Sequence, residues 1–339
     1  MELTYEREPD YFLGCAVMGR TCQTLVARAN ESGQVVGLAT RAVRPLFVNG
    51  QAEDVGYIGQ LRVDRDHQAR GVVAQGFRLL RQLHEDGATT GYITTIIEGN
   101  TVAEGVLVQK ARRLFPVYRA VGRLFTLAII VRRPRRLRRT DLELRPAATL
   151  DLQDVVAFLH AQGSRKQFFP AYSADNLTGP ATRDLDLAGV AVACRRGRIV
   201  GVLALWDQSG YKQNVVHSYR ADLGRIKPLY NLAARLLGAQ PLTEIGQPIH
   251  HAYASLACVQ DDDPAVFHSL LAWVYNRAAV RHYAFLMLGL AEADPLLAVA
   301  RRQLHIAYKS TLYTVCWREE DGWHERLDGR TPYVEIATL

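Results

Sequence analysis

One order of elements runs through this chain twice. In the first part, Leu25–Ala27 and Val35–Ala39 flank Asn30-Glu31-Ser32-Gly33, a hairpin signature, and Tyr57–Val63 supplies a third strand. After a polar loop from Asp64 to Arg70, Val73, Gly76, Phe77 and Leu80 stand at i, i+3, i+4 and i+7, with Leu79 and Leu83 widening the stripe. That spacing predicts an amphipathic helix closed by Gly87. Tyr92–Ile97 is β-branched and reads as a strand, and Thr101-x-x-Glu104 is a capping box opening a second helix through Val106, Leu107 and Leu114. Phe125–Val131 then reads as a buried strand.

Beyond Thr140 the order returns. Leu152, Val155, Val156 and Leu159 mark a helix, and Val190–Cys194 and Ile199–Leu205 form a second hairpin, with Ile199-Val200-Gly201 answering Val35-Val36-Gly37. Tyr253–Val259, Tyr283–Leu290 and Leu312–Trp317 read as strands, and Pro264–Val280 and Pro295–Leu304 as helices. The result is an α/β plan used twice. A length of 339 residues agrees, since single cores stop growing at roughly 250–300 residues. No strand is evident before Tyr11, which leaves open whether the second half completes the sheet of the first.

The seam carries the charge. Six arginines and no acid lie between Arg132 and Arg139 (Arg132, Arg133, Arg135, Arg136, Arg138, Arg139), and without them the net charge of +7 falls to +1. We therefore divide the chain into 1–131, an arginine-rich linker 132–141, and 142–339. Five scattered cysteines make no C-x-x-C pair or disulfide framework, which fits a reducing cytosol. The N-terminal residues show no signal peptide, and no apolar run approaches the roughly 18–20 residues a membrane span needs. His250-His251, His282 and His305 lack metal-ligand spacing with Cys or carboxylates, so no metal is expected.

Chemistry concentrates where the third strand meets the amphipathic helix. A helix N-terminus offers free backbone N–H groups and the positive end of the macrodipole, a natural phosphate site. Gly71 lets the backbone approach an anion, and Arg70 adds charge. At Gln68-Ala69-Arg70-Gly71-Val72-Val73 the sequence resembles the acyl-CoA loop of the GCN5-related N-acetyltransferases, Q/R-x-x-G-x-G/A directly before a helix, with Val73 standing where that family has Gly or Ala. The family's next element is also matched, a strand followed by an Asn with Ala three residues later, here Asn100 and Ala103.

The resemblance covers Leu25 to Phe115 and implies two tandem acetyltransferase-like domains, each a mixed central sheet flanked by helices, the first splayed to admit the pantetheine arm of acetyl-CoA. It implies donor contacts from Leu61, Arg62, Val63, Gln68, Ala69, Arg70, Gly71, Val72, Val73 and Asn100, with a backbone N–H near Leu61 or Val63 facing the oxyanion. The family's acid is a Tyr early in the second helix. Val108 occupies about that place here, so Tyr118 is the substitute candidate, beside the alternative that its ring only packs. Glu98 is the candidate base, as against a solvated carboxylate; Glu53 and Asp54 are weaker candidates. The second half has Gln260-Asp261-Asp262-Asp263-Pro264 at the corresponding turn. Three acids there repel pyrophosphate but suit a helix N-terminus, which makes the second copy degenerate.

The expected function is acyl transfer from acetyl-CoA to an amine of a small molecule or protein, by direct attack through a tetrahedral intermediate. The alternative is a non-catalytic acyl-CoA-binding or interaction module. The arginine run reads as a solvated linker, or as a partner for an acidic substrate, the 3′-phosphate of CoA or the opposite half. Without interleaved aromatic residues it is a poor nucleic-acid grip.

Overall fold

The computed structural model describes all residues except 1, 69, 110–114, 138–140, 220–230, 232–235, 237 and 319–321. Ala69, Leu114, Arg138, Arg139 and Thr140 therefore lie outside the described residues. The strands are β1 (Glu2–Glu6), β2 (Thr21–Arg28), β3 (Val35–Val48), β4 (Gln51–Val63), β5 (Tyr92–Ile97), β6 (Val117–Ile130), β7 (Glu143–Pro146), β8 (Val190–Arg195), β9 (Arg198–Trp206), β10 (Gln213–Ser218), β11 (His251–Val259), β12 (Phe285–Ala291) and β13 (His305–Cys316).

Eleven of them join in one mixed sheet of order β2-β3-β4-β5-β13-β6-β12-β11-β9-β8-β7. The halves thus complete each other. β13, from the end of the chain, lies antiparallel between β5 and β6, while β6 pairs with β12 of the second half along seven residues, Leu124–Ile130. The first half also has the early strand its sequence did not reveal: β1 pairs with β10 in a separate two-stranded sheet, again across the halves. Its alternating Glu2-Leu3-Thr4-Tyr5-Glu6 pattern is short and mostly exposed, so periodicity alone gave it little signal.

Within each half the plan is the same. β4 leads into the helix Val72–His84 and then to β5, parallel to β4; β11 leads into the helix Pro264–Val280 and then to β12, parallel to β11. The stripe read from sequence places Phe77 and Leu80 in the core against Ile58, Tyr92 and Tyr313. Gly56 is required where β4 meets β5, because a Cβ there would overlap the Tyr92 ring. The second helix is capped differently from the expectation. Asn100, not Thr101, is the N-cap, accepting from Ala103 N–H at 3.1 Å, and after Ala103 the chain widens into π-helical Glu104–Gln109.

The arginine-rich segment is folded onto the second half where described. Arg132 N–H donates to the Tyr275 hydroxyl (2.8 Å), and the Arg135 guanidinium lies 3.9 Å over the Tyr275 ring. Arg135 exchanges backbone hydrogen bonds with the Asn276 side chain (2.7 and 2.7 Å), and its guanidinium donates to Gln303. Arg133 and Arg136 remain exposed.

Of the three aspartates, only Asp263 serves the helix terminus, accepting from Ala265 N–H (2.8 Å) and Val266 N–H (3.3 Å). Asp261 pairs with Arg165 (2.6 Å), and Asp262 with Lys166 (2.9 Å). Lys166 also reaches the fully buried Asp294 carboxylate at 2.6 Å. Burial works against the Lys166 charge, but Asp294 and Asp262 outweigh it and hold the ammonium above its ordinary pKa. Removing one member of a buried pair strands the other. Asp294→Ala is expected to cost about 3 kcal/mol or more in urea unfolding, whereas Asp261→Ala at the exposed Arg165 pair is expected to leave the unfolding midpoint close to wild type.

Candidate functional site

β4 carries the geometry of the site. Its ladder with β3 runs regularly from Val48↔Gln51, then slips between Thr40↔Gly59 and Leu38↔Arg62. At the slip, Gln60 takes φ +54, a left-handed conformation uncommon for a side-chain-bearing residue, which marks a β-bulge. Gly59 permits the turn because the Tyr57 ring packs where its Cβ would be. The Gln60 carboxamide oxygen accepts from the Tyr11 hydroxyl at 2.8 Å, which fixes the bulge from outside the sheet.

Past the bulge β4 leaves its neighbour. The parallel pairing of β4 with β5 is confined to Gly56↔Tyr92 and Tyr57↔Ile93, with Thr94 Oγ donating to the Ile58 carbonyl at 2.6 Å as the last cross-strand bond. β5 instead follows β13, pairing from Tyr92↔Val315 to Ile97↔Ser310. A wedge therefore opens between the C-terminal ends of β4 and β5.

The wedge leads to the turn singled out in the sequence. Asp64 N–H donates to Val36 O (2.9 Å), and the Asp64 carboxylate accepts from Asp66 N–H (3.0 Å) and lies 2.9 Å from His67 Nδ1. The His67 hydrogen bond, then the backbone N–H of Asp66, hold the Asp64 carboxyl below its usual range. Gly71 is the N-cap with φ +81 and ψ 2 and contributes no side chain. The helical ladder starts with Gln75 N–H to Gly71 O (3.0 Å), so earlier first-turn N–H groups have no partner within the helix. Gln68, Arg70 and Gly71 are exposed, and nothing lies within 4 Å of a Cβ built on Gly71. Val72 packs on Gly37 of β3, which seats the helix start on the sheet.

The other end of that helix is fastened by a buried network. Arg41 of β3, wholly inaccessible, grips Asp86 with two 2.8 Å hydrogen bonds and also donates to the Tyr92 hydroxyl (3.0 Å) and Gln23 (2.7 Å). His84 Nδ1 lies 3.0 Å from the same hydroxyl. The Arg41 hydrogen bonds keep the Asp86 carboxyl below its usual range. The ion pair did not stand out in the sequence, because Arg41 sits in a strand and Asp86 in a polar turn 45 residues away.

The candidates fall into three groups. Leu61, Val73 and Tyr118 pack into one apolar cluster with Phe77, Tyr313 and Trp317. Tyr118 lies on β6 opposite Val315, its ring edge-on to Tyr313 at 6.2 Å, and burial pushes its phenol above the ordinary value. Arg62 is exposed with its guanidinium 5.8 Å from the Tyr5 ring centre, and Val63 ends β4 beside the turn. Glu98 is held apart by an ion pair with Arg123 of β6 (2.8 Å), and Asn100 spends its side-chain oxygen on the Ala103 cap. Glu53 and Asp54 are paired away, with Arg326 (2.5 Å) and Arg20 (2.6 Å). Sequence reasoning missed Tyr11 and Gln60; Gly56 and Gly59 within one strand were the available sign of a bulge or close approach.

A cavity of about 160 Å³ lies under the helix on its β2–β3 side, lined by Leu25, Ala39, Leu61, Val63, Val73 and Phe77 among others. Among the described residues, no cluster of His, Cys, Asp and Glu is placed to hold a metal ion, and no helix is long and apolar enough to cross a membrane. Because Asn100 is engaged as a cap, Asn100→Ala is expected to lower stability by about 1 kcal/mol and Asn100→Asp to retain most of it, read by thermal unfolding.

No family model and no curated protein matches the chain. Solved structures do. A GCN5-related N-acetyltransferase from Sphaerobacter thermophilus superposes with TM-score 0.56 at 12% identity, covering 94% of this chain and 84% of that one. Saccharomyces cerevisiae N-myristoyltransferase with bound myristoyl-CoA superposes with TM-scores of 0.56 and 0.53 in two structures, both at 10% identity, covering 92% and 85% of this chain and 71% and 68% of those.

Proposed function

From the premise that the chain carries the GCN5-related N-acetyltransferase fold, we propose that it is an acyl-CoA-dependent N-acyltransferase whose donor site is the β4–β5 wedge. The observation that carries this reading is the alignment, along one strand, of a bulge at Gln60, an open wedge and a helix turn with free N–H groups. Pyrophosphate suits the turn Gln68–Val73, where Arg70 and the helix N-terminus supply positive charge and Gly71 leaves room. The pantetheine arm suits the wedge, and the thioester oxygen the N–H groups beside Gln60 and Leu61. Two of the superposed proteins are described as an N-acetyltransferase and an N-myristoyltransferase with its acyl-CoA, which supports the donor class.

In the reaction a neutral amine attacks the thioester carbonyl. A C–N bond forms, negative charge builds on the carbonyl oxygen, and the C–S bond breaks as that charge collapses. Backbone N–H groups aimed at the oxygen stabilise the intermediate, and Tyr118 is the group in the adjoining cluster able to give a proton to the leaving thiolate, its phenolate regaining the proton that the amine nitrogen loses. We assign acetyl-CoA as donor, a small-molecule or protein amine as acceptor, and the cytoplasm as the setting.

A second reading, an acyl-CoA-binding module without turnover, is favoured by one observation: Glu98, the candidate base, is engaged by Arg123. Titration calorimetry with acetyl-CoA tests the donor site. One site per chain is expected, weakened at least about tenfold by Gly71→Asp, which forces a carboxylate and a strained φ against the pyrophosphate. No binding by the folded wild-type chain would overturn the reading. Turnover of an amine panel separates enzyme from module. Tyr118→Phe is expected to lower kcat about 10²-fold with KM for acetyl-CoA little changed, and unchanged kcat would remove Tyr118 from the chemistry.

A further inference from the structure

The second half has its own bulge and wedge. Leu256 of β11 takes φ +55, as Gln60 takes +54, and the β9–β11 ladder slips between Ser255 and Cys258. β11 then keeps only three parallel pairs with β12, His251↔Phe285 to Tyr253↔Met287, before the strands part. A leucine holds a left-handed conformation only where its surroundings impose it, and such a bulge turns N–H groups out of the ladder.

Those N–H groups are taken by the chain itself. Leu256 N–H donates to Glu335 Oε2 at 2.8 Å, and Ala257 N–H donates to the Tyr333 hydroxyl at 3.3 Å. The Tyr333 hydroxyl donates to the same Oε2 at 2.8 Å, and Ala337 N–H donates to Oε1 at 3.3 Å. On the opposite wall, Ile336 occupies the space that a Cβ on Gly289 of β12 would need. Residues 333–337 thus touch both strands that bound the wedge. The segment is held from behind by Lys212 Nζ on the carbonyls of Ala337 (3.2 Å) and Leu339 (2.9 Å), and by Arg44 of β3 donating to the Thr338 hydroxyl. Glu335 is only 1% exposed.

We propose that residues 333–337 are a built-in occupant of the second half's acyl-donor wedge, with the Glu335 carboxylate presenting an oxygen to Leu256 N–H as a thioester carbonyl does to the first half's bulge. The likening to a thioester rests on the function proposed above; the occupancy does not. It explains why this half needs no phosphate turn. Asp263 caps the helix start and Lys166 and Arg165 neutralise the other two aspartates, so the turn offers an anion no free charge. One wedge per chain stays open.

Amide hydrogen exchange on the full chain tests this at single residues. Glu335→Ala is expected to speed exchange of the Leu256 amide at least about tenfold, while Glu335→Gln, which keeps an acceptor, stays near wild type. Tyr333→Phe, a milder change, is expected to expose Ala257 and leave Leu256 protected. Leu256 exchanging in folded Glu335→Ala as in wild type would overturn the proposal; if that variant does not fold, Ala257 protection unchanged in Tyr333→Phe would do so. Calorimetry gives a second arm: two acetyl-CoA sites on the wild-type chain would overturn the occupant, whereas no site at all would overturn the proposed function and leave the exchange result to decide the occupant.

Discussion

Everything in this molecule hangs on where β13 lies. The last long strand of the chain runs between β5 and β6, and β6 in turn lies against β12, so neither half has a complete sheet of its own. This arrangement makes the wedge. β5 can part from β4 after two residue pairs because its other edge is bonded to β13 from Tyr92 to Ile97, which holds the strand in the sheet while the side facing β4 opens. The proposed donor site on the first half therefore depends on residues 305–316, more than 250 positions after the start of β4.

Two equivalent helix starts show how small differences in charge divide the halves. In the first, the Val72–His84 helix is fastened at its far end by Arg41, Asp86, Tyr92 and His84, while its near end begins on a bare glycine and its first-turn N–H groups have no partner within the helix. In the second, the Pro264–Val280 helix begins on Asp263, which satisfies those groups, and the neighbouring Asp261 and Asp262 are neutralised by Arg165 and Lys166. The strand geometry before each helix is nearly the same, down to a left-handed residue in the bulge. Side chains at the two turns thus separate the proposed anion site of the first half from a helix start already capped in the second.

Local pattern carried much of this. The hairpins, the stripe Val73–Leu83, the strand Tyr92–Ile97 and the helix Pro264–Val280 were legible because each satisfies a period or a cap within a few residues. The start of the first long helix was legible because Gly71 stands directly before an amphipathic stripe. What stayed hidden is non-local. Nothing in His305–Cys316 says which strands it joins, since a strand's neighbours are fixed by the packing of the whole sheet. Thr101-x-x-Glu104 satisfied the capping-box pattern, yet Asn100 one residue earlier made the cap. Glu335 carries no local signal, and only the fold places it against Leu256 N–H.

Two copies of one plan share a sheet, with the proposed donor wedge open in the first and filled in the second. A crystal structure of the full chain with CoA bound tests this arrangement. One CoA is expected, its pyrophosphate at Gln68–Val73 and its pantetheine between β4 and β5, with Glu335 still bonded to Leu256 N–H. CoA between β11 and β12, with residues 333–337 displaced, would contradict it.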